Sequence, residues 1–437
     1  MKEYKTWRYY IMEKKQKAAA EKETARKAAD TKDKKPKDTG KEVKAAEAAA
    51  PAAPAVPMKP YFAGIDIVKI LAVMLVISVH FFLYNGFYYT PLTNTSAVGP
   101  IAMRWFAYTC VPLFMISTGY LMKNKTLSAK YYTGIIKIIV IYLVISVICL
   151  KFKQDIQHYE FKNWDIFKGF LEYSNAQYGW YINYYIALFL AIPFINLAFN
   201  GCKNNKQKFI MTLTVFAFTI FARSFFLGFD RDTQIKALPD YLNGAWPLAY
   251  YYVGAFIRDC PPKRNIRNKL IIFACFCASL GFLTWSTYKQ SVADVENEQH
   301  FLSWHFNDYG TYPVFLVAVC IFLLLFDITT KNKGVKFVLR QLSGVTLATY
   351  LISYIFDNMF YNSWQKDMNS ERHIGFNEKY AEVGERLGHW YEVVPKIFIC
   401  SLISAIVIHK LYDLCVFLLK KGVEAAKAEK EATAVEK

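Results

Sequence analysis

The first long apolar segment of the chain contains three ionisable side chains. Asp66, Lys69 and His80 interrupt a run of apolar or small residues between positions 65 and 82. Lys69 and His80 are eleven positions apart, close to three helical turns, so they lie on one face about 16 Å apart along the axis. Asp66 is three positions before Lys69 and can pair with it there. Because imidazole exchanges protons near neutral pH, His80 is the candidate general base, with Lys69 and Asp66 as charged partners.

A structural role is the alternative for these residues. Asp66 and Lys69 could form an ion pair at the membrane interface, and His80 could be a packed, hydrogen-bonded side chain. Charge at membrane depth costs several kcal/mol unless it is paired or hydrated. The shared face in an otherwise apolar helix therefore favours a functional role.

The composition indicates an integral membrane protein. Of the 437 residues, 54% are hydrophobic, and they include 35 Phe and 31 Tyr. Aromatic residues of this kind favour membrane interfaces and packed helix surfaces. The net charge of +18 would suggest a nucleic-acid partner in a soluble protein, but Lys and Arg also collect on the cytoplasmic side of membrane proteins. No base-stacking module accompanies the basic residues, so we expect no nucleic-acid partner.

Apolar stretches long enough to span a bilayer recur along the chain. The predicted fold is an all-α polytopic membrane protein with about ten transmembrane helices, at residues 62–85, 98–122, 133–150, 178–199, 208–228, 243–258, 269–287, 309–328, 338–360 and 393–418. If the N-terminus is cytoplasmic, four inner loops hold 15 Lys or Arg in 44 residues, and the much longer outer loops hold 11. This alternation follows the positive-inside rule and predicts that both termini are cytoplasmic.

The ends of the chain differ in composition from the membrane region. Residues 1–60 are rich in Lys, Ala and Glu and end in an Ala/Pro stretch. Such a segment cannot bury a core, so it is predicted to be a disordered basic cytoplasmic tail with a linker. Residues 61–418 form the predicted ten-helix domain, and residues 419–437 form a second cytoplasmic tail.

Further candidates lie near the predicted outer ends of neighbouring helices: Arg104, Trp180, Tyr181 and Arg223. They are candidates for contact with a substrate on the outer side. The two arginines could instead extend to the interface, and the two aromatic residues could belong to the aromatic belt.

The pattern resembles the acyltransferase-3 family of membrane acyltransferases, whose bacterial members O-acylate cell-surface glycans. The spacing of Asp66, Lys69 and His80 is similar to the family signature, in which Arg or Lys precedes an essential His by eleven positions. The stretch at residues 111–121, which contains Ser117, Thr118 and Gly119, is similar to the family's second-helix motif. Small residues there also favour close helix packing without any role in chemistry.

Other parts of the chain extend or weaken this resemblance, which covers residues 61–418. Trp180-Tyr181 and the run that ends in Gly254-Ala are similar to family segments. Lys69 stands where Arg is commoner, and the family's R-x-x-R motif reads Gly134-Ile-Ile-Lys137. The late Tyr-Leu-Ile-His motif ends here in Ser353.

The resemblance implies a membrane O-acyltransferase of a bacterial plasma membrane. Its co-substrate would be cytoplasmic acyl-CoA, with acetyl-CoA as the default, and no bound cofactor or metal is expected. The acceptor would be a hydroxyl of a cell-surface or lipid-linked glycan, and a homodimer is compatible with the family. His80 would deprotonate this hydroxyl or carry the acyl group covalently.

The remaining residues are assigned to the acyl donor. Lys69 with Asp66 would hold the donor or set the local electrostatics. Ser117 and Thr118 would line the donor's path. The basic residues of the inner loops and their flanks, including Lys130 and Lys137, offer charge for the donor's phosphates.

Two other functions remain open on the sequence. Transporters or exporters of glycans or lipid-linked intermediates also use intramembrane His, Lys and Arg. The chain lacks the two similar halves and paired broken helices that are typical of inverted-repeat transporters. The third interpretation is a catalytically inactive membrane sensor or scaffold, since some of the family motifs are altered in this chain.

Overall fold

The computed structural model describes residues 61–85, 87–89, 91–92, 95–222, 235, 238–239, 241–295, 299–301, 306–365 and 383–435. The predicted tail at residues 1–60 lies outside these ranges. Within them, every regular element is a helix.

The described α-helices are numbered in chain order: α1 Ala63–Tyr84, α2 Val98–Tyr108, α3 Cys110–Met122, α4 Ala129–Thr133, α5 Ile136–Asp155, α6 Asn163–Leu171, α7 Trp180–Asn200, α8 Asn205–Phe216, α9 Trp246–Asp259, α10 Ile266–Ala293, α11 Tyr312–Leu325, α12 Lys333–Gly344, α13 Thr346–Gln365 and α14 Val383–Val435. Helix α8 continues into a π-helical turn, Ala217–Phe221.

Six stretches in the described part of the chain are long and apolar enough to cross a membrane: Ala63–Tyr84, Thr95–Met122, Ala129–Asp155, Trp180–Asn200, Ile266–Ala293 and His389–Ala428. The apolar helix α11 is shorter. The predicted all-α membrane fold with several spans is therefore confirmed for the described residues. The count of ten spans and the placement of both termini stay predictions.

Two of the predicted spans are broken into two helices. The span at 98–122 bends at Thr109, whose hydroxyl donates to the Phe106 carbonyl. Pro112 explains this break, because a proline ring clashes with the carbonyl four residues earlier and lacks an N–H donor. The span at 338–360 consists of α12 and α13, which meet at Val345. The α12–α13 junction exposes backbone groups that a continuous helix would have used internally.

Helix α1 is the central element, since α2, α3, α11, α12, α13 and α14 all pack against it. Its buried side chains include Val68, Ala72, Val73 and Ile77. Helices α5, α10 and α14 instead carry many exposed apolar side chains, as expected of lipid-facing surfaces. The ionisable residues of α1 therefore lie inside the helix bundle.

Helices α3 and α9 cross closely at two glycines. A Cβ atom on Gly119 would stand 2.0 Å from the carbonyl oxygen of Tyr251, and one on Gly254 would stand 2.0 Å from that of Ile116. Both distances are far inside van der Waals contact, so only glycine fits at either position. The motif glycines therefore serve packing, as small residues do at membrane helix interfaces.

Candidate active site

His80 lies against a carboxylate that comes from the opposite end of the chain. Its Nδ1 atom is 3.3 Å from Oδ2 of Asp357 on α13, although the two are not aligned as a hydrogen bond. The ring of Tyr178 stacks on the imidazole with 3.7 Å between centroids, and its hydroxyl donates to the same Oδ2 at 2.6 Å. His80, Asp357 and Tyr178, from three segments, thus form one cluster.

This cluster is buried and incompletely satisfied. His80 is 8% exposed and Asp357 is fully buried. The Oδ1 atom of Asp357 has no hydrogen-bond partner. A buried carboxylate that lacks full compensation is costly for stability. Buried titratable groups of this kind occur preferentially at functional sites. The cluster is therefore the strongest catalytic candidate in the described part of the chain.

Surrounding contacts hold Tyr178 in position. The hydroxyl of Tyr350 donates to the main-chain carbonyl of Tyr178, and the two rings stack at 6.0 Å. Lys153 at the end of α5 donates to the Ser174 carbonyl at 3.3 Å and to the Gln177 side chain at 3.1 Å. These bonds fix the loop before α7, and with it the ring that covers His80.

Asp66 and Lys69 meet at Ser343, the last residue but one of α12, rather than at each other. The Lys69 ammonium donates to the Ser343 carbonyl at 2.6 Å, and the Ser343 hydroxyl donates to Oδ1 of Asp66 at 2.5 Å. Lys69 therefore satisfies a carbonyl at the C-terminus of α12, where a cation is favoured. The two charges of α1 thus stabilise the α12–α13 junction.

A cavity of about 420 Å³ lies beside this face of α1. Its walls come from α1, α3, α5, α7, α13 and α14, with Gly134 from the turn before α5 and the α12–α13 junction. One end of the cavity carries the cationic or titratable residues Lys69, Lys137 and His409. Moving along the helices from that end, the lining changes to Val76, Val111, Phe114, Ile141, Tyr181, Tyr185 and Tyr350. The cavity is therefore charged at one end and apolar and aromatic at the other.

His80 lies one turn beyond the apolar end of this cavity. Val76 lines the cavity and precedes His80 by four positions, about 6 Å along the helix. Tyr350 connects the two regions, because its ring lines the cavity and its hydroxyl binds the loop residue Tyr178.

Ser117 and Thr118 both line the cavity. The Thr118 hydroxyl donates a hydrogen bond to the Phe114 carbonyl in its own helix at 2.9 Å. The Ser117 hydroxyl is buried and has no hydrogen-bond partner. Ser117 is thus the one of the two that keeps bonding capacity for a ligand.

The basic residues assigned to phosphate contacts differ in their surroundings. Lys137 lines the charged end of the cavity and pairs with Asp413 of α14 at 3.0 Å. Lys130 is exposed and absent from the cavity lining. Lys123 instead pairs with Asp259, which also accepts from Lys208 at 2.6 Å. Burial alone would raise the pKa of Asp259, but the bonds and charges of the two lysines outweigh it and hold that pKa below its usual value.

Arg104 belongs to a separate aromatic cluster. Its guanidinium lies 4.3 Å from the ring centroids of both Trp105 and Tyr108, and its Nε donates to the Tyr88 hydroxyl at 3.0 Å. A further nitrogen donates to Asn307. Arg104 is 2% exposed, so it does not extend to the membrane surface. Arg104 belongs neither to the His80 cluster nor to the residues that line the cavity.

The remaining candidates near the predicted outer ends of the helices differ in their surroundings. Trp180 is 39% exposed and stacks on Tyr309 at 6.0 Å. Tyr181, the next residue, is buried and lines the cavity. Arg223 lies outside the described residues. Within the described ranges, no group of three or more His, Cys, Asp or Glu side chains could hold a metal ion.

The sequence profile of the acyltransferase-3 family, described as an acyltransferase domain, matches residues 62–409. The chain belongs to the acyltransferase-3 family. No curated protein and no solved structure gives a significant match. The matched region runs from the start of α1 into α14, so the cavity and the His80 cluster lie within the acyltransferase domain. Family membership and the apolar helices identify a multi-pass membrane acyltransferase.

The altered family motifs have local explanations in this acyltransferase. Ser353 replaces the histidine of the late motif, and its hydroxyl donates to the Tyr350 carbonyl in its own helix at 2.8 Å. Gly134, where the R-x-x-R motif has its first arginine, lines the cavity beside Lys137. The charged end of the cavity therefore contains Lys137 of this segment and His409 of α14.

Sequence reasoning missed Asp357, the buried partner of His80. The signal was present, because Asp357 is the single ionisable carboxylate between Thr346 and Phe360 of an otherwise largely apolar span. Ionisable residues at such positions are functional candidates by default. His409 carried the same kind of signal on α14. Tyr178 and Ser343 offered none, since neither stands out from its neighbours in type or spacing.

Proposed function

We propose that this protein is an O-acyltransferase of a bacterial plasma membrane. It moves an acyl group, by default acetyl, from acyl-CoA to a hydroxyl of a cell-surface or lipid-linked glycan. The observation that carries the proposal is the pairing of a cavity that is charged at one end with a buried His–Asp–Tyr cluster one turn beyond its apolar end.

The cavity suits the two chemical halves of an acyl-CoA. Its phosphates would bind near Lys69, Lys137 and His409, which line one end. The pantetheine arm and thioester would extend along the apolar walls, where the free Ser117 hydroxyl could bond one of their carbonyl or amide groups. The positive-inside prediction places the charged end at the cytoplasm, where acyl-CoA is made.

The reaction needs one base and no bound cofactor. The Nε2 atom of His80 accepts the proton of the acceptor hydroxyl as its oxygen attacks the thioester carbonyl carbon. The carbon–sulfur bond then breaks and the CoA thiolate leaves. The imidazolium returns the proton to this thiolate, so the products are an ester and free CoA.

Asp357 and Tyr178 would keep His80 ready for this step. A carboxylate at 3.3 Å from Nδ1 favours the tautomer with its proton on that nitrogen, which leaves Nε2 as the basic atom. It also stabilises the imidazolium that forms in the transition state. The stacked Tyr178 ring excludes water from one face of the imidazole and donates to the carboxylate.

The test is transfer of radiolabelled acetyl from acetyl-CoA to glycan in membranes that contain the protein. The wild-type protein should label a glycan fraction, and His80→Ala should lose at least about 100-fold of this rate. A His158→Ala variant is the matched control, since His158 lies in the loop between α5 and α6. A folded, inserted His80→Ala protein with normal transfer would rule out the assigned base.

A second measurement would identify the acceptor glycan. Mass spectrometry of surface glycans from a strain that lacks this protein should show one missing acyl group. Movement of glycan across the membrane without acyl transfer would instead support a transporter.

A further inference from the structure

Three aromatic rings from three different helices line the apolar end of the cavity. Phe114 on α3, Tyr181 on α7 and Tyr350 on α13 all line the cavity. The rings of Phe114 and Tyr181 have centroids 5.8 Å apart, and those of Tyr181 and Tyr350 are 5.9 Å apart. Both spacings are those of aromatic rings in direct contact. We call these three residues the aromatic end wall.

The end wall is held in place from behind. The Tyr350 hydroxyl donates to the Tyr178 carbonyl, so a rotation of this ring would leave a buried carbonyl without its partner. Tyr181 and Tyr350 are both at most 5% exposed. Tyr178 in turn is bonded to Asp357 and stacked on His80. Displacing the wall would therefore disturb the catalytic cluster.

This arrangement limits the length of the acyl chain that a bound acyl-CoA can carry. An acyl-CoA enters with its acyl group leading, because the cations that suit its phosphates are at the opposite end. Lys69 and Val76 mark the two ends along α1, about 10 Å apart. An extended pantetheine arm is longer than this distance, so it reaches the rings and leaves room for only a short acyl group in front of them.

We infer that Phe114, Tyr181 and Tyr350 form a steric stop that selects short acyl groups and excludes chains of about six carbons or more. This inference rests on the proposed use of acyl-CoA. It assigns to Tyr181 a role in donor selection, whereas the sequence suggested the acceptor side. Tyr350 would combine this role with positioning of Tyr178.

The test measures binding of acetyl-, butyryl-, hexanoyl- and octanoyl-CoA to the full-length protein in nanodiscs by calorimetry, with empty nanodiscs as the blank. An unobstructed apolar site would gain about fourfold in affinity for each added methylene. The end wall predicts the reverse, with hexanoyl- and octanoyl-CoA at least tenfold weaker than acetyl-CoA. Equal or tighter binding of octanoyl-CoA by the wild-type protein would overturn the inference.

Variants locate the stop. Tyr181→Ala should strengthen hexanoyl-CoA binding by about tenfold or more and change acetyl-CoA binding by less than about fourfold. Phe114→Ala is the second opening variant, so that misfolding of one does not decide the result. Tyr181→Phe is the matched control, because it keeps the ring and its contacts with Phe114 and Tyr350 and should therefore keep the wild-type cut-off. Opening variants that retain the wild-type cut-off would also overturn the inference.

Failure of the proposed function would look different. If none of the four thioesters binds the folded wild-type protein, the proposed acyl-CoA donor and the inferred stop are both wrong. If all four bind with similar affinity, the donor class stands and only the stop is wrong.

Discussion

The Nδ1 atom of His80 lies 3.3 Å from the Oδ2 atom of Asp357, a carboxylate with no exposed surface. His80 is on the first described helix and Asp357 is on the thirteenth. A histidine next to a buried carboxylate is the arrangement by which many enzymes orient and activate a general base. In this acyltransferase it singles out His80 among the polar residues of the membrane region.

Asp357→Asn should lower the rate of acyl transfer by about 100-fold or more, because the neutral amide neither fixes the His80 tautomer nor stabilises its cation. Thermal unfolding should change little, since Asn keeps the size of the side chain and an acceptor for Tyr178. Asp155→Asn is the control, as Asp155 is an exposed carboxylate paired with Lys151. An active Asp357→Asn enzyme would show that the carboxylate has no catalytic role.

Tyr178→Phe should lower the rate of acyl transfer by less than Asp357→Asn does. The ring would still stack on His80, but the 2.6 Å hydrogen bond to Asp357 would be lost. A hydrogen bond to a charged group contributes about 1.5–3 kcal/mol, so a rate loss between roughly tenfold and 100-fold is expected. The double variant should lose little more than Asp357→Asn alone, because both residues act through His80. Multiplicative losses in the double variant would indicate independent roles.

Lys69→Ala should raise the KM for the acyl donor by about tenfold or more, since it removes a cation from the cavity lining. It also removes the bond to the Ser343 carbonyl, so thermal stability should fall by about 1–3 kcal/mol. Lys69→Arg keeps the charge at this position. This variant should therefore retain most of the activity. Initial rates at varied donor concentration separate the two variants, and equal KM values for Lys69→Ala and wild type would exclude donor contact.

Gly119→Ala and Gly254→Ala should each destabilise the protein by about 2 kcal/mol or more. The added methyl group at either site would meet a backbone carbonyl at 2.0 Å, and overpacking against backbone cannot be relieved by a rotamer change. Gly281→Ala is the matched control, because nothing lies within 4 Å of its Cβ position. Thermal unfolding in detergent measures all three. Similar stability of the three variants would mean that the α3–α9 crossing is looser than described.

The sequence by itself determined the features that depend on short-range patterns. Apolar runs predicted the membrane helices, and the spacing of Asp66, Lys69 and His80 placed them on one face of α1. This succeeds because a helical period of 3.6 residues relates neighbouring positions whatever the tertiary fold. The small-residue motif at Gly119 likewise predicted a close helix contact.

Tertiary structure alone decided which distant groups meet. Asp357 faces His80, Ser343 joins Asp66 to Lys69, and Tyr181 turns into the cavity although its neighbour Trp180 is partly exposed. These contacts depend on the crossing, rotation and register of helices far apart in the chain, and on the break between α12 and α13. No local spacing specifies those quantities, because they follow from how all the helices pack together.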